Sequence, residues 1–292
     1  ISCCGFGYYL VLQQQFIYEI IQRSQQMNFS WMLVADAMLA GLLPMLVIAT
    51  LGWFYSIWAD EVSIVSPLWP LMVLSSVFTY AKFFGAQGEL LLVVLAMVGL
   101  WAIRMGYFLF MRNINRPEDR QYRVMRQRSN SSFHMKSLFF IFYGHVFSAW
   151  IASWLLIVIC YHIAAGTLEW TIYQNIAIAL WAIGLLVQSI ADYQLYKYSR
   201  EIQVVGGTYG RGLWRYSRHP NYFAECFIWW SWCLLALPTG NVLAIISPAF
   251  MTYLMVKVKA NQAVEEEIAA RRPDYKKYLL STSFMVPWRP KI

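Results

Sequence analysis

Long apolar runs recur along almost the whole chain, and they constrain its fold more than any other feature. About 20 apolar residues are needed to cross a hydrocarbon core of about 30 Å. Of the 292 residues, 59% are hydrophobic and 13% are charged, against about 45–50% and 25% in a soluble domain. A soluble core cannot absorb that much apolar surface. We therefore predict an all-α, polytopic membrane protein with about seven transmembrane helices in one bundle, at 32–57, 66–84, 89–111, 137–164, 171–196, 221–237 and 242–258.

The first 30 residues differ in composition from the rest. Residues 1–30 combine a short apolar opening with a glutamine-rich run, which predicts an N-terminal arm outside the membrane or an interfacial helix. No Gly/Ser linker and no repeat of 20–50 residues follows, so 31–292 is predicted to be one seven-helix membrane domain with a basic C-terminal tail. The five cysteines lack the spacing of a zinc site, and no metal site is predicted.

Basic residues are concentrated on one predicted side of the bilayer. If successive spans alternate in direction, loops 59–65, 112–136 and 197–220 share a side with the tail. Loop 112–136 carries seven Lys or Arg residues, loop 197–220 carries five and residues 257–292 carry eight, which is 20 of the 23 in the chain. This asymmetry predicts that the basic side faces the cytoplasm or the mitochondrial matrix, so the endoplasmic reticulum and the mitochondrial inner membrane fit equally. No nucleic-acid-binding fold accompanies the charge, and no nucleic-acid partner is expected.

Ionisable residues inside the predicted spans each cost about 2.5–3.5 kcal/mol at mid-bilayer. They are Asp36, Arg104, Asp192, Glu225 and Lys257. One interpretation is structural pairing, for example of Arg104 with Asp192. The other is a ligand site, because Asp192 and Glu225 fall within about two helical turns of the basic side, where a soluble ligand can enter.

The segment from Arg215 to Glu225 is the most informative in the chain. Proline suits the first turn of a helix, where its missing N–H would be unpaired anyway, so the sixth span is predicted to begin at Pro220. A helix start exposes free N–H groups and the positive end of the helix dipole. With Arg215, Arg218 and His219 just before it, this start predicts a cradle for a phosphate-bearing ligand. The alternative is a basic anchor beside an aromatic belt at the membrane surface, but an anchor has no use for Glu225.

The same segment, LWRYSRHPNYFAE at 213–225, resembles the C-terminal signature of the steroid 5α-reductase-like membrane reductases. The likeness extends over residues 50–290 through four further blocks, which are EVSIVSPLW at 61–69, the stretch 104–128, ADYQLYKY at 191–198 and PDYKKYLLSTSFMVPW at 273–288. The resemblance implies a seven-helix bundle that binds NADPH from the basic side. It also implies reduction of a carbon–carbon double bond conjugated to a carbonyl in a lipid or steroid.

The resemblance assigns roles by position. Together with the cradle residues, the cofactor-binding residues are expected to be Asp192, Arg200, Arg215, Arg218, His219, Asn221 and Lys257. Hydride delivery to the β-carbon builds negative charge on the carbonyl oxygen, which needs a hydrogen-bond donor in a dry site. Tyr107 and Tyr222 are the candidate donors. The resemblance implies that Glu225 lines the same cavity, so the expected catalytic residues are Tyr107, Tyr222 and Glu225.

The chain departs from the family pattern at Ser66, where relatives tend to carry an acid, and at Ala260, in a stretch where a glycine is expected. These departures favour an alternative function as a catalytically reduced accessory subunit of a larger membrane complex, such as a respiratory complex, in which NADPH could be absent. The expected partners are membrane lipids, an apolar lipid or steroid substrate and, for an accessory subunit, other subunits.

A third function class is an S-adenosylmethionine-dependent membrane methyltransferase. Such enzymes share an R-H-P-x-Y motif and a later acidic pair, here Glu265 and Glu266. They lack a block like ADYQLYKY, which ranks this class below the reductase. The other interpretation of the acidic pair is a solvated turn.

Overall fold

The structure, a computed structural model, describes residues 31–114, 118–129, 132–205, 210–257, 265, 269–270 and 273–290. These residues form helices joined by turns, with no strand among them. In chain order the helices are α1 (Trp31–Ala59), α2 (Val65–Phe84), α3 (Glu89–Asn113), α4 (Arg120–Ser129), α5 (Phe133–Ala152), α6 (Trp154–Ala164), α7 (Ile172–Val205), α8 (Pro220–Ala236), α9 (Ile246–Lys257) and α10 (Pro273–Ser281). The predicted all-α class is confirmed, whereas the predicted arm at 1–30 lies outside the described residues.

Five stretches are long and apolar enough to cross a membrane. They are Met32–Ala59, Val62–Phe84, Glu89–Asn113, Phe133–Ala152 and Ile172–Tyr198. On α1, the side chains of Leu39, Leu43, Val47 and Leu51 recur every four residues and are all more than half exposed. An exposed apolar stripe of this length needs an apolar environment. The chain is therefore a helical membrane protein, but the predicted count of seven spans is not confirmed, because α6, α8 and α9 are shorter than the five spanning stretches.

The span predicted at 137–164 is divided into α5 and α6 at Ser153. Helix α5 contains a π-helical stretch, Ser137–Phe142. Just beyond the break, the N–H of Leu155 donates to Oγ of Ser247 at 2.8 Å. Ser247 is fully buried in the first turn of α9, so a side chain from another helix supplies an acceptor where the helix is interrupted.

Helix α4 is tied to the start of α2 through Glu118, which is buried. Its Oε1 accepts the N–H of Val62 at 3.1 Å and Nη2 of Arg126 at 2.7 Å. Burial raises the pKa of Tyr122, on α4, to about 12, while the nearby hydroxyl of Ser66 acts in the opposite direction. Ser66, one of the two departures from the pattern of the reductases that the sequence resembles, therefore faces Tyr122 at this end of the bundle.

Close packing of α7 against α8 positions the site described below. These two helices share the most extensive contact in the bundle, and α2 packs between α1 and α3. A Cβ atom built on Gly184 of α7 would lie 2.9 Å from Cγ1 of Ile228 on α8. A larger residue at this position would force the buried Ile228 side chain to shift. Helix α3 makes a smaller contact with α7, and its Trp101 also reaches Glu225 on α8.

We expect Ser247→Ala to lower the free energy of unfolding in detergent by about 1–2 kcal/mol, because it leaves a buried N–H at the α5–α6 break without its acceptor. Ser132→Ala removes an exposed hydroxyl that bonds only to Ser129 and should change the value by less than about 0.5 kcal/mol. Denaturant titration followed by far-UV circular dichroism measures both. Equal losses in the two variants would contradict the capping role of Ser247.

Candidate functional site

Helix α8 begins at Pro220, as predicted, with His219 at its N-cap position. Asn221 follows, and its Oδ1 accepts the N–H of Tyr222 at 3.1 Å. This bond orients the Asn221 amide so that Nδ2 donates to Oδ1 of Asp192, on α7, at 3.2 Å. The start of α8 is thereby attached to the middle of α7.

Arg104, Asp192 and Asn221 form what we call the outer layer of the site. Nη1 of Arg104 donates to Oδ2 of Asp192 at 2.8 Å, while Asp192 is only 4% exposed. The predicted pairing of Arg104 with Asp192 is confirmed. A buried ion pair is stable only when further hydrogen bonds satisfy its members, and Asn221 supplies one of them to the carboxylate.

Trp101, Gln188 and Glu225 form the inner layer. Glu225 is 2% exposed, and its Oε2 accepts Nε2 of Gln188 at 2.6 Å and Nε1 of Trp101 at 3.1 Å. Its Oε1 accepts Nε1 of Trp229, one turn further along α8, at 2.8 Å. All three donors are neutral groups, so the hydrogen bonds solvate the carboxylate without neutralising it.

The two layers are stacked along the bundle. On each of α3, α7 and α8, the inner-layer residue lies three or four positions from the outer-layer residue. That spacing places both on the same helix face, about one turn or 5.4 Å apart. The same three helices therefore build both layers.

Tryptophan side chains close the inner layer on its deep side. The ring of Trp101 meets those of Trp229 and Trp232 edge to face, at centroid distances of 5.7 and 5.3 Å. All three rings are almost fully buried. Their packing keeps water away from the Glu225 carboxylate on this side.

An open groove of about 330 Å³ runs between α3 and α7 beside the outer layer. Its lining residues are Arg104, Tyr107, Phe108, Met111, Ser189, Asp192, Tyr193 and Tyr196. Tyr107 and Tyr193 are well exposed, on α3 and α7 respectively. Aromatic and apolar walls with a few convergent polar groups are typical of small-molecule sites, which occupy about 300–1,000 Å³.

A second polar cluster lies just before α8. Nη1 of Arg218 contacts Oε2 of Glu265 at 2.5 Å, and Nε2 of His219 lies 3.2 Å from Oε1 of the same carboxylate. The His219 ring stacks on Tyr222, with 5.0 Å between the centroids. Glu265 is buried, so its interpretation as part of a solvated turn is wrong.

The C-terminal tail holds the turn that leads into α8. The backbone N–H of Arg218 donates to the carbonyl of Ser283 at 2.8 Å, and Oγ of Ser217 donates to the carbonyl of Met285 at 2.7 Å. The hydroxyl of Tyr278, on α10, donates to the carbonyl of Trp214 at 2.6 Å. Two sequence blocks that resemble the reductase family, 213–225 and 273–288, therefore pack together.

Comparison with known proteins places these blocks in one family. Residues 52–282 match the family described as protein of unknown function DUF1295. The chain belongs to the DUF1295 family. It is 24% identical over 264 residues to an uncharacterized protein of Schizosaccharomyces pombe, an alignment that covers 82% of this chain and 76% of that protein. No solved structure matches the chain. The DUF1295 match includes both layers and the groove.

This DUF1295 structure brings some of the predicted site residues together and separates others. Tyr107 lines the groove together with Asp192. Tyr222 instead contacts His219, and Glu225 lies in the inner layer rather than in the groove lining. Of the two candidate donors to a substrate carbonyl, only Tyr107 therefore borders the groove.

The remaining predicted cofactor residues lie further out. Arg215 is exposed at the end of the 3₁₀ turn before α8, and Lys257 is exposed at the end of α9. The side chain of Arg200 and the whole of Ala260 lie outside the described residues. The cofactor-binding roles of Arg200, Arg215 and Lys257 stay predictions.

The sequence analysis missed two members of the site, Gln188 and Trp101, which bind Glu225. Gln188 had a usable signal, because it is a polar residue inside an apolar span and lies four positions before Asp192, on the same helix face. Glu265 was named only in the acidic pair of the methyltransferase class, and its bond to Arg218 depends on the fold of the tail.

We expect Asp192→Ala to lower the free energy of unfolding by about 3 kcal/mol, because it leaves the Arg104 guanidinium partly buried without its counter-ion. The double variant Asp192→Ala/Arg104→Met should recover most of that loss. Asp274→Ala, at an exposed carboxylate on α10, should cost less than about 0.5 kcal/mol. Unfolding in mixed micelles measures all three, and a double variant less stable than either single variant would refute the pairing argument.

Proposed function

We propose that this DUF1295 protein is a membrane-embedded, NADPH-dependent reductase of a carbon–carbon double bond conjugated to a carbonyl in a lipid or steroid. The observation that carries the proposal is the hydrogen bond between Asn221 and Asp192 beside an apolar groove. These residues belong to the two blocks, RHPNY and ADYQLYKY, that most resemble the steroid 5α-reductase-like proteins. The DUF1295 family includes such proteins, which supports the same activity.

The residues before α8 suit the phosphate groups of a dinucleotide. Arg218 and His219 already hold one oxyanion, the carboxylate of Glu265. The buried Nε of Arg218 has no hydrogen-bond partner among the described residues, so a further donor is available there. Arg215 adds an exposed positive charge on the preceding turn. Charged donors of this kind bind phosphate oxygens well.

The groove suits the apolar body of a lipid or steroid. When bound, NADPH would supply the hydride. Tyr107, Phe108 and Met111 provide apolar and aromatic contact along one wall, and the buried Trp101 keeps water from the inner layer. Exclusion of water strengthens every hydrogen bond to charge that develops on the substrate. The protein itself orients the reactants and keeps the inner layer dry.

Titration of the purified protein with NADPH and with S-adenosylmethionine tests the proposal. We expect saturable binding of NADPH only, and about tenfold weaker binding in Asn221→Ala, because a polar group at the centre of the outer layer is lost. Asn175→Ala, at an exposed site at the far end of α7, is the matched control and should bind as the parent protein does.

S-adenosylmethionine is the informative competitor, because the Arg218–Glu265 ion pair joins the R-H-P-x-Y motif to the acidic residue that membrane methyltransferases also carry. Saturable binding of the methyl donor alone would overturn the reductase proposal in favour of that class. Binding of neither compound would favour the accessory-subunit alternative.

Glu265→Gln should raise the affinity for NADPH by about tenfold if Arg218 and His219 bind its phosphates, because the variant removes the anion that competes for both donors. Glu169→Gln, at an exposed position on the opposite end of the bundle, should leave the affinity unchanged. Isothermal titration calorimetry in micelles measures both. An unchanged or weaker affinity in Glu265→Gln would show that the cluster holds only the fold.

A further inference from the structure

The guanidinium of Arg104 uses only one of its three nitrogens within the protein. Nη1 is bonded to Asp192, whereas Nε and Nη2 are buried and have no hydrogen-bond partner among the described residues. Each buried donor left without an acceptor costs about 1–3 kcal/mol, and more when the group is charged. Two such donors on one side chain indicate that an oxygen atom from a ligand satisfies them.

The geometry of arginine makes these two donors a matched pair. The Nε–H and Nη2–H bonds leave one edge of the planar guanidinium side by side, so they can bind a single oxygen or two neighbouring ones. Asp192 occupies the remaining nitrogen, and Asn221 fixes Asp192 in turn. The outer layer therefore holds the free edge of Arg104 in one orientation.

The residue that carries the free edge also borders a ligand-sized groove. Arg104 lines the groove between α3 and α7, whose other walls are mainly Tyr107, Phe108, Met111 and Tyr193. An apolar molecule in this groove would bury most of its surface against these side chains, and only its polar end would need a hydrogen-bond donor. Among the described residues that line the groove, Arg104 is the one cationic side chain.

Charge decides which kind of oxygen binds there. The positive charge of Arg104 is already compensated by Asp192 at 2.8 Å. A ligand carboxylate or phosphate at this edge would also meet the carboxylate of Asp192 and would be repelled by it, whereas the oxygen of a neutral carbonyl would not.

We propose that Arg104 binds the carbonyl oxygen of the substrate through Nε–H and Nη2–H, in place of the tyrosine hydroxyls expected from the sequence. The inference rests on the proposed function, whose enone substrate carries this carbonyl. Hydride adds to the β-carbon, the electron pair of the double bond moves toward the carbonyl oxygen, and Arg104 stabilises the enolate oxygen that forms. A proton from water then adds to the α-carbon and restores the carbonyl, which balances the two-electron reduction.

The test measures ligand binding by the full chain in micelles, without any cofactor. Cholest-4-en-3-one is compared with cholest-4-ene, which has the same ring system without the oxygen, and tryptophan fluorescence reports binding. We expect the ketone to bind about tenfold more tightly to the parent protein, in line with two charged hydrogen bonds. Equal affinities for the two sterols in the parent protein would overturn the inference, and that comparison needs no variant.

Two variants assign the preference to its residue. Arg104→Lys keeps the charge but loses the paired donors, and we expect the preference for the ketone to fall to about threefold or less. Arg112→Lys, two turns further along α3, is the matched control and should keep the full preference. The infrared C=O stretch of the bound ketone should lie at lower frequency in the parent protein and return toward its free value in Arg104→Lys.

Failure of this inference is distinguishable from failure of the proposed function. If NADPH binds and is consumed with an enone while Arg104→Lys keeps both the preference for the ketone and the lowered stretch frequency, the role of Arg104 is wrong and the reductase stands. If the ketone preference depends on Arg104 but NADPH does not bind, the carbonyl site stands and the reductase proposal is wrong.

Discussion

The buried carboxylate of Glu225 is the constraint on which the rest of the site depends. A buried polar group inside a membrane protein is tolerated only if other groups replace its water. Here Trp101 of α3, Gln188 of α7 and Trp229 of α8 do so. Because the donors come from all three helices, their rotation and their register are fixed together. The outer layer lies one turn away on the same three faces, so the pairing of Arg104 with Asp192 follows from the inner layer.

The two layers also differ in their polar groups. In the outer layer Arg104 already has a counter-ion in Asp192, while the inner layer holds Glu225 among neutral donors. On the proposed function, the phosphates of a cofactor would meet Arg218 and His219, which lie before α8. The groove between α3 and α7 suits neutral, apolar molecules.

The sequence predicts the parts of this structure that depend on local chemistry. Pro220 starts α8 because its ring and its missing N–H suit a first turn, and the cost of an unpaired charge in an apolar span predicts the Arg104–Asp192 pair. The break at Ser153 could not be predicted, because serine is tolerated within helices and the acceptor comes from Ser247, far along the chain. The predicted count of seven spans is not confirmed, in part for the same reason, since tertiary contacts set where α5 ends.

The cluster before α8 shows why donor chemistry alone does not identify a ligand. A basic pair at a helix start binds whichever oxyanion is present, and the chain supplies one of its own in Glu265. A phosphate that binds Nη1 of Arg218 must displace this carboxylate, so its apparent affinity is reduced by the fraction of molecules in which the pair is already formed. The cluster therefore sets how readily the site is occupied, while the outer layer, whose hydrogen bonds join three helices, sets what is held there.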